Sequence, residues 1–544
     1  MSGWLAHLPL FPILLPLVGG AAMLLLSDSR RAARSLIGLG VTLAQLVVAL
    51  ALLALAGGQL PGVAGDTIAV YRLSGWNAPV GIVLVADRLA AIMLTLTALL
   101  ALASLVYGMA RWDRMGAHYK PLFQFLLMGV NGAFLTGDLF NLFVFVEVLL
   151  AASYGLLLHG SGAPRVRAGL HYLVVNLAAS LLFLIGTALI YGMTGTLNMA
   201  DLALILPTLN AGDRSLFDVG AAILGIAFLV KAGVWPLNFW LPEAYGAAVA
   251  PVAALFSILT KVGIYALLRI GSLLAEAGTP ALFGGTWLFC IGLVTLFFGC
   301  AGMLAAQQPQ RLTAYCVIVS AGTLLASVGL GGAAMAGPAL FYLISSVLAT
   351  GAFFMLAEMI ERSRAFGANV LAVSFETFGV DDPFDPERPD EVVGTVIPAA
   401  MAFLGLGFIS CALLVSGLPP LSGFVAKFSI LATALAGASG DMPLLPAIVL
   451  LAAILASGLV GLVALCRMGM RIFWSSDDRI VPRLRLLEAG PVAFLILACV
   501  ALTAGAGPVA AYLDATGRAL GAPQTYIEAV LAAETPASSN GAPR

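Results

Sequence analysis

Long apolar segments separated by short polar connections run along almost the whole chain. A helix needs ~20 mostly apolar residues to cross a bilayer, and about fourteen segments are that long. They lie at roughly 8–27, 35–57, 80–109, 120–137, 139–158, 170–193, 216–235, 250–270, 286–306, 311–331, 337–360, 396–416 with a broken continuation to about 436, 443–466 and 489–513. The pattern predicts an all-α polytopic membrane protein with about fourteen transmembrane helices.

Basic residues indicate how these helices are oriented. The first apolar segment has no basic residue before it and arginines directly after it, the reverse of a signal peptide, so it is predicted to remain as a helix. The odd-numbered connections hold Arg30, Arg31, Arg34, Arg111, Arg114, Lys120, Arg165, Arg167, Arg311, Arg362, Arg364, Arg467, Arg471, Arg479, Arg483 and Arg485, against Arg72, Arg214 and Arg269 in the even-numbered ones. The positive-inside rule makes the odd connections cytoplasmic, and an even helix count then places both termini outside a bacterial inner membrane.

Three stretches are predicted to lie outside the bilayer. Leu197 to Leu209 is short and apolar, as expected of an interfacial helix. An insert at 365–395 contains the acidic, proline-rich stretch Phe375 to Val393, which cannot bury a core and is either a solvated loop or a docking strip for a partner. The tail, 533–544, is expected to be disordered.

Composition agrees with a membrane protein and excludes several other classes. Of 544 residues, 61% are hydrophobic and 10% are charged, and the mean hydropathy is +1.04. Soluble domains are about one quarter charged. A net charge of −1 argues against a nucleic-acid partner, which requires a basic face. All six cysteines fall in apolar segments without paired spacing, and we find no phosphate-binding loop or metal-ligand motif, so no cofactor is expected.

Lysine is distributed unevenly along the chain. The chain has four lysines, and Lys231, Lys261 and Lys427 fall inside predicted helices, whereas the basic residues of the connections are almost all arginine. A charge at bilayer depth is costly and usually functional. Arginine stays protonated in proteins, but a buried lysine can release its proton. We therefore predict that the three lysines carry protons; the alternatives are snorkelling to the interface or a static ion pair.

Glu147 is the candidate partner for one of these lysines. It lies about eight residues into its helix, near mid-membrane at ~1.5 Å per residue. A lysine nearby would keep this carboxylate charged, and Lys231 is the natural candidate because it directly precedes a break in its own helix. Separating such a pair would push a proton onward. The alternative is a fixed salt bridge that pins two helices together.

Two long apolar segments are interrupted at corresponding places. Pro236 and Pro242 interrupt one of them, and Pro419, Pro420 and Gly423 interrupt the other. Paired interruptions in two halves of a membrane protein indicate inverted repeats, with the transport site at the unwound backbone. The symmetry is partial, because Lys231 precedes its break whereas Lys427 follows its own.

Three motifs carry a family resemblance: TGDLFNLFVFVEVLLAASYGLL from residue 136, LVKAGVWPLNFWLPEAYGAAVAPVAALFSILTKVGIYALLR from residue 229 and GLPPLSGFVAKF from residue 417. Over about 80–475 the chain resembles the antiporter-like family shared by Mrp-type cation/proton antiporters and the proton-pumping subunits of respiratory complex I and membrane-bound hydrogenases. The resemblance implies three N-terminal helices in 1–115, two inverted five-helix repeats at 116–270 and 286–474, and a fourteenth helix at 486–514.

The resemblance also implies roles for individual residues. Glu147 in the fifth helix pairs with Lys231 in the seventh, Lys261 in the eighth relays protons, and Lys427 in the twelfth gates the far end. Many relatives carry a histidine and a lysine in the eleventh helix, where this chain has Ser346 and Thr350. We therefore expect the path from Lys261 to Lys427 to run through waters and hydroxyls, among them Ser320, Thr323, Ser345, Ser346 and Thr350.

The sequence is compatible with two functions. The first is a subunit of a multisubunit antiporter that exchanges protons for Na⁺ or another monovalent cation, alongside other membrane subunits that include a longer antiporter-like chain. The second is a proton-pumping subunit of complex I or a related hydrogenase. No carboxylate cluster for Na⁺ is visible, so the cation is expected to pass through a partner. Asp87 and Asp138 are expected to cap helices, or alternatively to form a mouth for cations.

Overall fold

The structure is a computed structural model of the chain. It describes residues 6–27, 29–59, 68–116, 118–275, 277–278, 283–378, 399–438, 443–474 and 484–531, with the backbone alone at 363–378. Most of the acidic stretch Phe375 to Val393 and the predicted disordered tail at 533–544 lie outside these residues.

Helices dominate the architecture, as the hydrophobic pattern predicts. We number them α1 Phe11–Leu25, α2 Arg31–Ala56, α3 Arg88–Ala110, α4 Tyr119–Leu135, α5 Leu139–Leu157, α6 Ala163–Thr194, α7 Met199–Ile205, α8 Ala211–Ala232, α9 Leu241–Ala247, α10 Ala250–Leu273, α11 Gly285–Ala305, α12 Pro309–Gly331, α13 Ala336–Phe378, α14 Ala399–Ser416, α15 Ser422–Ala438, α16 Leu444–Phe473, α17 Leu486–Ala504, α18 Ala506–Gly521 and α19 Gln524–Leu531.

Twelve segments of the described chain are long and apolar enough to cross a membrane. One of them, Pro309–Arg362, is 54 residues long. It contains α12 and the part of α13 up to Arg362, separated by a 3₁₀ turn at Gly332–Met335. Helices α4 and α15 are each 17 residues long, and α15 is also apolar enough to count among the shorter apolar helices. The chain is therefore a polytopic membrane protein.

Helix α10 is the centre of the fold. In α10 all residues of the most apolar 18-residue stretch are buried by protein (100%), whereas only 28% of the residues are buried in the corresponding stretches of α2 and α17. A helix that is apolar on all sides needs such surroundings, whereas helices covered on one face present their other face to lipid. Lys261 lies in the middle of α10. Lys261 is therefore held on the most enclosed of the long apolar helices that the structure describes.

Four details differ from the predicted elements. The start of the predicted helix 80–109 is wrong: residues 83–86 form the strand β2 Val83–Ala86, which pairs antiparallel with β1 Ala69–Arg72, and α3 begins at Arg88. Helix α6 begins at Ala163, with Pro164 in its first turn, rather than at residue 170, because proline favours the start of a helix. Helix α13 continues to Phe378, through the start of the predicted insert 365–395. The predicted fourteenth helix, 486–514, is divided at Gly505 into α17 and α18.

The predicted interfacial stretch between 197 and 209 forms the short helix α7 followed by one 3₁₀ turn, Leu206–Thr208. Asn198 caps α7, because its side-chain oxygen accepts hydrogen bonds from the amides of Ala200 and Asp201. Its backbone also forms an isolated antiparallel bridge with Asp138. This short helix is therefore tied to the start of α5, the helix that carries Glu147.

Candidate functional site

The first predicted break lies directly after Lys231. Helix α8 ends at Ala232, and Gly233 follows in the left-handed conformation, with φ of 70°. Only glycine adopts this conformation without strain, and a Cβ atom here would lie 2.5 Å from Leu241 Cδ1. Pro236 lies in the following turn and Pro242 in the first turn of α9. The predicted interruption is confirmed, and it leaves Lys231 in the last turn of α8.

The predicted ion pair between Glu147 and Lys231 is not formed. Although both residues belong to the described chain, no contact within 4.0 Å joins the carboxylate to the ammonium group, and Lys231 Nζ instead donates to Ser180 Oγ at 3.3 Å. Glu147 Oε1 is buried without a hydrogen-bond partner in that part of the chain. Val146, the residue before Glu147, lines the same small cavity as Lys231. The structure thus holds the acid and the base apart within the same buried region.

A small cavity lies between Lys231 and α10. Its volume is about 20 Å³, and Lys231, Tyr172 and Asn176 supply polar groups among mostly apolar lining residues, Leu259 and Val262 of α10 included. A cavity of this size beside several polar groups can hold one water. It extends from Lys231 to the helix that carries Lys261, although Lys261 itself is not among its lining residues.

Lys261 is enclosed and has a hydroxyl partner. Its side chain is 1% exposed, and Nζ donates to Ser320 Oγ at 3.1 Å. Within the described ranges, no carboxylate lies within ion-pair distance of this ammonium group. The Ser320 hydroxyl donates in turn to Ser346 Oγ at 2.9 Å. A continuous set of hydrogen bonds therefore runs from α10 across α12 to α13.

The hydroxyls continue around a second small cavity. It also has a volume of about 20 Å³, and its lining includes Ser320, Ser345, Ser346, Thr350 and Val415. Thr350 Oγ1 donates to the Ser346 carbonyl at 2.7 Å. The Ser345 hydroxyl lies 2.8 Å from that of Ser422, the first residue of α15. Of the five hydroxyls expected from the sequence, Thr323 is the exception, because it does not line this cavity; its Oγ1 donates to the Val319 carbonyl.

Lys427 closes the second break. Helix α14 ends at Ser416, and Gly417 follows with φ of 75°. Lys427 Nζ donates to the carbonyls of Ser416 at 2.9 Å and Val415 at 3.2 Å. Carbonyls at a helix C-terminus carry partial negative charge, which attracts a cation. Pro420 lies in the turn before α15. Val415 also lines the second cavity, so Lys427 contacts the wall of the cavity that Ser346 lines.

A buried ion pair near the C-terminal end of α10 was not predicted from the sequence. Arg269 Nη2 lies 2.7 Å from both carboxylate oxygens of Asp87, and the two side chains are 4% and 14% exposed. Asp87 also accepts from the Ala90 amide, and Asp138 accepts from the Asn141 amide, so the predicted helix caps are confirmed. The signal in the sequence was a single arginine in an otherwise arginine-poor connection.

A second unpredicted cluster lies at the start of α10. The Glu358 carboxylate accepts from Trp112 Nε1 and from the backbone amide of Ala250, both at 3.1 Å. One turn later on α13, Arg362 donates to Glu488 on α17 at 2.7 Å. This cluster fixes the N-terminal end of the helix that carries Lys261 to its neighbours. Neither carboxylate has a sequence signature beyond its charge.

The described residues contain no group of three or more histidine, cysteine, aspartate or glutamate side chains positioned to hold a metal ion. The ionisable side chains in the centre of the fold are separated from one another by hydroxyls and small cavities. The arrangement suits stepwise proton transfer between fixed groups rather than the coordination of a dehydrated cation, which requires several oxygen ligands.

Comparison with known proteins agrees with this geometry. A family model described as NADH:quinone oxidoreductase/Mrp antiporter, TM, matches residues 136–456. A D-type subunit of a probable K⁺/H⁺ antiporter from Rhizobium meliloti is 51% identical over 98% of this chain and 99% of its own. A D-type subunit of a Na⁺/H⁺ antiporter from Bacillus subtilis is 34% identical over 85% of this chain and 88% of its own.

A solved structure matches over the same extent. A chain in the Mrp complex from Dietzia sp. superposes with a TM-score of 0.80 at 28% identity, covering 98% of this chain and all of that one. The resemblance seen in the three sequence motifs is therefore confirmed. The chain belongs to the NADH:quinone oxidoreductase/Mrp antiporter family, and within it to the D-type subunits of Mrp antiporters, which are transporter subunits.

Proposed function

We propose that this chain moves protons through the membrane in a multisubunit antiporter that exchanges them for a monovalent cation. The observation that carries the proposal is the hydrogen-bonded sequence Lys261, Ser320, Ser346, which joins three helices inside the most enclosed part of the fold. Hydrogen-bonded hydroxyls can pass a proton by accepting one and donating another. A buried lysine is the group that can load and release that proton.

Glu147 and Lys231 form the first stage of the proposed path. Their present separation corresponds to the opened arrangement of a switchable pair, in which Ser180 rather than the carboxylate holds the ammonium group. A water in the cavity between Lys231 and α10 connects this stage to Lys261. Closing the pair stabilises the charge on Lys231, and opening it favours release of the proton toward Lys261.

Lys427 forms the last stage. A water in the cavity beside Ser346 and Thr350 connects the hydroxyls to the break at which Lys427 binds the α14 carbonyls. Movement at this break changes the number of carbonyls that stabilise the ammonium group. The break therefore acts as the gate at the far end of the path.

We further infer fourteen membrane crossings with two inverted repeats. Counting α12 and α13 separately and adding α4 extends the twelve candidate segments to fourteen, with α15 as the second half of a broken helix. The fourth helix of each repeat is the broken one, α8 with α9 and α14 with α15. Each break contains a glycine with positive φ, Gly233 or Gly417. The arginine distribution places both termini outside.

The transported cation is Na⁺ or K⁺. The relative at 51% identity is named for K⁺ and the one at 34% for Na⁺. The greater identity favours K⁺ over the Na⁺ expected from the sequence. We propose that the cation crosses through neighbouring membrane subunits of the complex, which include a longer antiporter-like chain. The reason is that the described buried centre of this chain offers hydroxyls and amines rather than a carboxylate cluster.

The test uses the complete antiporter complex in inverted membrane vesicles. A proton gradient is established, K⁺ or Na⁺ is added, and proton efflux is followed with a pH-sensitive dye. The proposal predicts cation-dependent efflux, faster with K⁺, that is lost when Glu147→Gln is introduced into this chain alone. Efflux that persists at the wild-type rate in this variant would exclude the chain as the proton route.

A further inference from the structure

Two cavities lie side by side near the ends of α1, α2, α4 and α5. The smaller has a volume of about 170 Å³ and charged walls. The larger, about 470 Å³, has an apolar side formed by helix residues and a polar side that includes His118, His159 and Ser161. Met115 and Gly116 line both cavities. The two cavities therefore adjoin at these residues, and we refer to them together as one depression with a charged compartment and a mainly apolar compartment.

The charged compartment is strongly basic. Its lining includes Arg31, Arg34, Arg114 and Lys120 against one acid, Asp113. Asp113 pairs with Lys120 at 3.0 Å, and both side chains are largely buried, so this acid is committed to the lysine. Arg31 and Arg114 are exposed, and within the described chain neither side chain makes a hydrogen bond or ion pair with a protein group. The compartment therefore presents two guanidinium groups to an anion from outside.

The apolar compartment extends from the basic one along the helix surfaces. Leu24, Leu122, Phe125 and Leu158 line it, and Gly155 forms part of its floor. A Cβ atom at Gly155 would approach Leu122 Cδ1 to 2.9 Å, so the glycine keeps this side of the groove deep. Leu24 is 48% exposed. The groove thus offers an apolar surface that begins where the guanidinium groups end.

We propose that this depression binds an anionic phospholipid of the bilayer. Arg31 and Arg114 hold the phosphate, and one acyl chain lies along Leu24, Leu122, Phe125 and Leu158. Guanidinium groups bind phosphate oxygens through paired, charge-assisted hydrogen bonds. Basic pockets between membrane helices on the cytoplasmic side recognise anionic headgroups, and α2 begins with the arginines that the positive-inside rule assigns to that side. The joined basic and apolar walls match one amphipathic ligand rather than a free anion.

The test is native mass spectrometry of the complete complex, purified in detergent and titrated with phosphatidylglycerol or, as the neutral probe, phosphatidylcholine. The proposal predicts at least one phosphatidylglycerol retained more tightly than phosphatidylcholine. In Arg31→Gln/Arg114→Gln the preference falls about fivefold for each charge removed. The control Arg167→Gln/Arg471→Gln removes two exposed arginines from other predicted cytoplasmic positions and leaves the preference unchanged. Equal losses in both variants would overturn the site.

Two further measurements separate the lipid from other occupants. Phe125→Ala is expected to weaken phosphatidylglycerol retention because it shortens the apolar wall, and inorganic phosphate is expected not to displace the lipid. Displacement by millimolar phosphate, with no effect of Phe125→Ala, would identify an anion site without a lipid. Protection of Leu158→Cys from a thiol reagent in delipidated complex would mean that another protein of the complex covers the groove, and would overturn the proposal.

Discussion

Lys261 and Ser320 are joined by a hydrogen bond of 3.1 Å between the ammonium nitrogen and the hydroxyl oxygen. The lysine side chain is 1% exposed, and Ser320 passes the contact on to Ser346 on the next helix. Burying an ammonium group whose described partner is a neutral hydroxyl costs free energy, and a charge kept at such a cost within a membrane segment usually has a functional role. Under the proposed function that role is proton transfer, and the Ser320 hydroxyl then takes part in the path together with the lysine.

Removing the Ser320 hydroxyl should slow proton transfer while preserving the fold. For Ser320→Ala we expect a loss of about tenfold or more in cation-driven proton efflux. This is less than the ~10²–10⁴-fold that a direct acid–base group contributes, because the adjoining cavity can hold a water. Ser327→Ala is the matched control: the same helix carries this equally buried hydroxyl, which donates to the Thr323 carbonyl and lies off the proposed path. Comparable losses in both variants would argue against the hydroxyl route.

The second break should be sensitive to a single methyl group. At Gly417, φ is 75° and a Cβ atom would lie 2.5 Å from Lys427 Cδ, so Gly417→Ala strains the backbone and displaces the lysine from the α14 carbonyls. We expect efflux to fall toward the level of Lys427→Ala, which should abolish transport without preventing assembly. Gly405 lies within α14, where a Cβ atom would meet no atom within 4 Å, so Gly405→Ala should leave efflux unchanged. Assembly is checked by co-purification of the other subunits.

Glu147 should affect the proton step rather than cation binding. In the assembled complex, Glu147→Ala is expected to stop exchange while leaving unchanged the cation concentration for half-maximal binding, measured by isothermal titration. This follows from the absence of an oxygen cluster around Glu147 in the described structure. A shifted cation affinity would mean that the carboxylate also participates in a cation site.

The ion pair at the end of α10 should govern stability. Asp87→Ala leaves the Arg269 guanidinium buried without its carboxylate and removes the cap of α3, so we expect a loss of roughly 3–5 kcal/mol in the free energy of unfolding. Asp218→Ala removes the carboxylate of an exposed pair with Arg214 and should cost about 0–1 kcal/mol. Thermal unfolding of the detergent-solubilised complex compares the two. Equal shifts would show that the Arg269 pair carries no special weight.

The sequence predicts the helices well because each apolar segment must match the bilayer, and it predicts both breaks because proline and glycine mark them. It misplaces helix ends that depend on polar first turns, as at Ala163 in α6. It also predicts no β1–β2 pairing, because these short strands depend on the packing beside α3.

The candidate site is predictable to a different degree. Lys231, Lys261 and Lys427 stand out because lysine is rare and confined to apolar segments. The pairing of Glu147 with Lys231 stays a prediction: here Lys231 Nζ donates instead to Ser180, a residue with no distinguishing pattern in the sequence. Glu358 was missed because its role is to accept a hydrogen bond at the N-terminal end of α10. The two are brought together only in the folded structure.

The proposal that Lys261 carries protons through this chain is tested most directly by replacing the lysine with an uncharged residue of similar length. Lys261→Met keeps the side-chain volume and removes the titratable group. Cation-driven proton efflux is measured in inverted vesicles that contain equal amounts of assembled wild-type or variant complex. If Lys261 carries the protons, efflux in Lys261→Met falls to the level of vesicles without the complex; efflux at the wild-type rate would show that the protons take another route.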